Sequence, residues 1–148
     1  MSHGIGGNGP WVYAAFFAEK VLREADGVTS YIRVIDRITT TIIGQNAPAT
    51  MPPAMLNLNL VIGLRSDTAR GSYEITVRPE PPSGLKASQP SINYPVMFEG
   101  EERGAQMVIE LNYQAEEQGL HWFDVLLEDH VMTRVPLRIV YQRLASGS

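Results

Sequence analysis

GLHWFDVLLEDHVMTRVPLRIVY, residues 119–141, reads as one long β-hairpin. In its first arm Phe123, Val125 and Leu127 share one face while Trp122, Asp124 and Leu126 share the other. In its second arm Val131, Thr133, Val135, Leu137, Ile139 and Tyr141 form one row and Met132, Arg134, Pro136, Arg138 and Val140 the opposite one. One face of the ribbon is therefore buried and the other largely wet. Glu128, Asp129 and His130 supply the polar turn between the arms. A lone two-stranded ribbon is marginal in water, so these arms must pack on further strands.

The rest of the chain offers them. Residues 28–43 are rich in Val, Ile, Thr and Tyr, with Ile32, Val34, Ile38, Thr40 and Ile42 in one row. For residues 11–25 two readings compete. Ala14, Phe17, Ala18, Val21, Leu22 and Ala25 fit helical spacing, whereas Asp26-Gly27 is a hairpin signal that pairs this segment with the strand after it. The hairpin is favoured. Asp36 interrupts the apolar row and reads as a β-bulge or an Arg37 partner, with a buried carboxylate as the alternative.

Leu56, Leu58, Leu60, Ile62 and Leu64 then alternate with Asn57, Asn59, Val61 and Gly63. Residues 71–78 alternate again, giving a second hairpin closed by residues 66–70. The proline-rich segments 45–53 and 79–90 read as connections outside the sheets, and Pro95 marks residues 92–98 as an edge strand. Residues 107–113 supply one more strand. About eight strands with turn residues between them predict an all-β, antiparallel two-sheet β-sandwich, immunoglobulin-like or jelly-roll-like. The expected organisation is a disordered Gly-rich segment over residues 1–10, one domain over 11–143 and a short tail over 144–148.

Composition narrows the function classes. The 148 residues are 44% hydrophobic and 19% charged, as expected of a globular chain. The net charge of −4 and pI near 5.3 argue against holding nucleic acid by phosphate neutralisation. Without cysteine there are no disulfides and no thiolate metal sites. No apolar run approaches the ~20 residues of a membrane helix, so no membrane insertion is expected. The Gly4 to Gly9 stretch matches the dinucleotide-binding glycine pattern formally, but no strand precedes it and Pro10 follows.

Catalytic constellations are hard to assemble from this chain. His3, His121 and His130 lack the spacing of a helical zinc pair, although His121 and His130 flank the last turn and would be able to meet across it. No calcium loop, nucleophile elbow, phosphate loop or thiol nucleophile is present. A carboxylate pair, with Asp124 near Glu110, needs only two of the sixteen acidic residues. No catalytic residue, metal or cofactor is assigned.

Trp122, Met132, Arg134 and Arg138, with Pro136, fall on the outer face of the ribbon and have the composition of an interface centre. The plainer alternative pairs the arginines with Asp124 and Glu128 as solvated cross-strand neighbours. The expected function is thus a non-catalytic module that binds a protein partner or itself as a homo-oligomer. A small-ligand or carbohydrate-binding sandwich is the alternative, and a hydrolase comes third.

Residues 18–38, AEKVLREADGVTSYIRVIDRI, together with residues 119–141, resemble a family of small bacterial proteins of unknown function. Its pattern is an N-terminal strand, an acidic turn with Gly, an apolar strand ending in a Phe/Ile-Asp pair, a PSG-like turn and a final Gly-x-x-x-Phe-x-Val ribbon. Val34-Ile35-Asp36, Pro82-Ser83-Gly84 and the run from Gly119 to Val125 match it here. The resemblance implies a β-sandwich and a bacterial, cytoplasmic origin. It lends no activity and no site residue.

Overall fold

The computed structural model describes residues 9–84, 91–100 and 104–145. His3, most of the glycine stretch before Pro10 and the last residues of the expected tail lie outside that range. Nine strands are present among the described residues: β1 (Trp11–Arg23), β2 (Thr29–Ile35), β3 (Arg37–Ile43), β4 (Ala54–Arg65), β5 (Arg70–Glu80), β6 (Ile92–Glu99), β7 (Gly104–Ala115), β8 (Gly119–Leu127) and β9 (His130–Leu144). They form two sheets, one of four strands in the order β2-β1-β4-β7 and one of five in the order β3-β9-β8-β5-β6.

The expected sandwich is present. Having β9, β8 and β5 as neighbours in one sheet, and β4 beside β7 in the other, matches the G-F-C and B-E adjacencies of immunoglobulin-type sandwiches. The competing helix at residues 11–25 does not form. That segment is β1, paired antiparallel with β2 around a turn in which Gly27 has a φ of 87° and Asp26 Oδ1 accepts from the Val28 N–H.

Two expectations change. The run 28–43 is not one strand, because at Asp36 the chain leaves the four-stranded sheet and enters the five-stranded one. Asp36 is exposed and its carbonyl accepts from the Arg138 N–H at 3.0 Å. The apolar row is interrupted there because the chain changes sheets, which also accounts for the ninth strand. β3 then runs parallel to β9, the one parallel pair among the described strands. Likewise β4 and β5 are not a hairpin. They belong to different sheets, and the turn between them buries Ser66 and Ala69 as the chain crosses. Alternation of side chains looks the same whether the next strand joins the same sheet or the facing one.

The final ribbon forms, with one register shift near its turn. Glu128 and Asp129 both have positive φ, 47° and 68°, as a tight two-residue hairpin turn of primed type requires. Pro95 does sit on an edge strand, β6. Pro79 lies within β5, beyond the point where its ladder with β6 ends at Val77, so its missing N–H takes no bond from β6.

The core lies between the sheets. Phe17, Leu60, Ile62 and Ile109 from one sheet meet Ile75, Phe123, Leu137 and Ile139 from the other. Phe123 stands edge-on to both Phe17 and Tyr113, each at 5.0 Å between ring centroids. Burying each large side chain contributes about 1.5–3 kcal/mol, so the alternating apolar rows are what hold the two layers together.

Candidate interaction surfaces and the buried histidine

On the outer face of the five-stranded sheet, register brings a polar cluster together. Asp124 lies opposite Arg134 on β9 and Arg78 on β5, while Trp122 lies opposite Glu80 and Pro136. Arg134 Nε donates to Asp124 Oδ1 at 2.7 Å and its Nη2 to Glu80 Oε2 at 2.7 Å. Arg78 Nη2 reaches Asp124 Oδ2 at 3.1 Å. The Arg134 guanidinium also stacks over the Trp122 ring, 4.7 Å from its centroid. Both oxygens of Asp124 are thus occupied, and the two arginines cover the side chain, which is only 8% exposed. The hydrogen bond to Asp124 is the main cause that raises the Arg134 pKa.

Of the four residues expected on this surface, the structure brings Trp122 and Arg134 into contact. Arg138 lies further along β9, opposite Leu120 and Arg37, and its side chain is exposed. Met132 leaves the face altogether. The register shifts between Val125 and Leu126 on β8, whose partners are Thr133 and Val131, and Met132 packs against the core at this bulge. Arg134 pairs with Asp124, as the plainer cross-strand alternative expected, with Glu80 as its second partner in place of Glu128.

The histidines do not meet. His121 stands opposite Leu137 and His130 opposite Leu127, at the two ends of β8. His130 is exposed at the turn, but His121 is fully buried. Its Nε2 lies 2.7 Å from the Glu117 carbonyl and its Nδ1 2.8 Å from the Tyr113 hydroxyl. A carbonyl can only accept, so Nε2 carries the proton and Nδ1 accepts from the phenol. Both ring nitrogens of a neutral imidazole are satisfied. Desolvation lowers the His121 pKa against the opposing pull of its bond to Glu117, and burial pushes the Tyr113 phenol up to about 12. The signal was in the sequence, since His121 shares the inner row of Phe123, Val125 and Leu127. Among the described residues no group of three His, Cys, Asp or Glu side chains is placed to hold a metal ion.

The carboxylates expected together are apart. Asp124 is on β8 of the five-stranded sheet and Glu110 on β7 of the four-stranded sheet, each between core-facing neighbours and therefore directed to opposite outsides.

The four-stranded sheet has its own surface feature. β1 pairs with β4 only as far as Ala18, so the chain from Glu19 through the turn to Arg33 continues as a two-stranded ribbon. Asn59 Nδ2 ties its base by donating to the Glu19 carbonyl at 2.9 Å, and Arg33 pairs with the Glu19 carboxylate at 3.0 Å. A groove runs between this ribbon and the outer face of β4 and β7, lined by Lys20, Leu22, Arg23, Asn59, Val108 and Glu110. On and beside the ribbon Leu22, Val28, Ile32 and Val34 are all exposed, Val34 to 64%.

Among the described residues no helix is long and apolar enough to cross a membrane. No curated protein matches the chain. The model of a family of unknown function, DUF6941, matches residues 14–140.

Proposed function

We propose, for a chain that belongs to DUF6941, a family of unknown function, and takes no activity from it, that this protein is a non-catalytic β-sandwich module that binds another protein. The observation that carries the reading is the β1–β2 ribbon. Leu22, Val28 and Ile32 are exposed on a two-stranded element that extends past its own sheet, and Val34 is exposed beside its base. Isolated ribbons of this kind are marginal, so a partner that covers Leu22, Val28 and Val34 stabilises the ribbon as it binds. The Trp122 and Arg134 surface supports binding less directly, because each side chain there already has a partner within the chain. The resemblance noted above supports a bacterial cytoplasm as the setting.

Native mass spectrometry of the protein isolated gently from its source, with two variants, tests this. L22S/V28S/V34S is expected to lose a co-purifying protein that W122A/R134A retains, with both variants folded. The reverse pattern would move the interface to the Trp122 face.

A second reading has an observation of its own. Asn57, Asn59 and Asn112 sit with Glu19 and Glu110 in an amide- and carboxylate-lined hollow on the four-stranded sheet, a donor set suited to a hydroxyl-rich ligand such as a carbohydrate. Glycan-array binding that N59A and N112A abolish would favour it over the protein partner.

A further inference from the structure

Each sheet of an open sandwich has two edges, and an unprotected edge is a template for another strand. Two of the four edges here carry an obstacle within the strand, and a third is short. β2 is seven residues long and its ladder with β1 skips Arg33, which has a left-handed φ of 56°. β6 has Pro95 in its interior. β3 offers only seven residues, Arg37–Ile43, before the chain turns away at Gly44. β7 differs from all of them. It holds twelve residues in unbroken register with β4, without proline, lysine, arginine or a positive φ, and Glu110 is its one charged residue. Among the described residues no strand pairs with its outer edge.

We infer that the β7 edge is a self-association site, at which the β7 strands of two copies of this chain pair antiparallel about a two-fold axis and join two four-stranded sheets into one of eight. The inference goes beyond the binding reading above and concerns a second surface. The sequence of β7 selects the occupant and the register. Two registers give the longest overlap with inner faces matched. Centring the axis on Glu110 puts that carboxylate against its own copy, a repulsive pair. Centring it on Ile109 pairs residues 104–114 of each copy and places Glu110 opposite Val108 of the partner and Gln106 opposite Asn112. Gln106, Val108, Glu110 and Asn112 are all exposed on the outer face, while Ile109, Leu111 and Tyr113 remain in the core. A two-fold interface needs a self-complementary strand, and β7 is one in this register.

Analytical ultracentrifugation of the full chain over a range of concentrations, with two substitutions at one position, tests the inference. The wild type is expected to show a concentration-dependent dimer. V108E sets two like-charge pairs against Glu110 and is expected to weaken the dimer about fivefold or more. V108K sets two opposite-charge pairs there and is expected to keep or tighten it. Circular dichroism and unchanged melting of both variants control for folding. A wild type that stays monomeric at every soluble concentration overturns the pairing, whatever partner the ribbon binds. A dimer indifferent to both substitutions overturns the edge and leaves self-association through another surface. Loss of the dimer in both variants overturns the Ile109 register, since any charge would then suffice.

Discussion

The Tyr113 hydroxyl donates to Nδ1 of His121 across 2.8 Å, and the two residues belong to different sheets. The bond thus spans the interior of the sandwich at the end where β7 turns into β8. Its rings meet edge-on, 5.5 Å between centroids. A polar pair in such a place is stable because every ring nitrogen has a partner, and it becomes costly when one is removed.

Stability is therefore expected to fall on acidification below pH 6.5. His121 is held neutral in the fold with its pKa lowered from 6.5. Below that value the unfolded chain binds a proton that the folded chain excludes, so stability is complete above it and drains as pH falls. The slope approaches about 1.4 kcal/mol per pH unit while the difference lasts. Thermal melts from pH 7.5 to 5 check this. The variant His121→Gln should flatten the dependence, and a wild-type curve already flat over that range would contradict the assignment.

Tyr113→Phe keeps the ring packing but leaves Nδ1 of His121 without its donor. The expected loss is about 1–3 kcal/mol, the cost of a buried unsatisfied acceptor. Denaturant unfolding should show a lower midpoint with an unchanged slope.

Asp124→Ala removes the acceptor shared by Arg78 and Arg134. Both arginines are about half exposed and can turn to water. A loss of about 1 kcal/mol is expected, well short of a buried pair with no access to solvent. The discriminating measurement is tryptophan fluorescence. Release of the Arg134 cation from the Trp122 face should change the emission of Trp122, and Asp124→Asn should change it less.

Two glycine substitutions should separate clearly. A Cβ on Gly104 would lie 2.8 Å from the Leu64 carbonyl oxygen, which is backbone held in the β4 ladder. On Gly63 it would meet the far end of the Tyr13 ring at 2.6 Å, and that ring is exposed and can swing aside. Gly104→Ala is expected to cost about 1–3 kcal/mol and Gly63→Ala a fraction of that. Equal losses in melting experiments would show that Tyr13 is as rigid as the Leu64 backbone.

Much of this architecture could be read from side-chain alternation. The last ribbon, the β1–β2 hairpin and the edge position of β6 follow from apolar rows, Asp26-Gly27 and Pro95. The sheet changes at Asp36 and at Ser66 could not, because a period of two states which face is buried but not against which layer. The bulge beside Met132 was hidden for a similar reason. One extra residue in a strand reverses which face the neighbouring side chains take, and no residue type there announces it. Trp122 and Arg134 were legible as neighbours from hairpin register alone. The bonds of Arg134 to Glu80 and of Asp124 to Arg78 depend on β5 lying beside β8, a contact between segments about fifty residues apart.

The parallel pairing of β3 with β9 joins residues about one hundred positions apart, as Thr41 and Gln142 show. During synthesis the early strand must wait, without this neighbour, until residues 138–144 have left the ribosome. Closing so long a loop is slow, and the sheet that contains it completes last. Chains stalled before residue 138 therefore leave the side of the Arg37–Ile43 strand that β9 covers without its partner, and truncation there is expected to raise the tendency to aggregate.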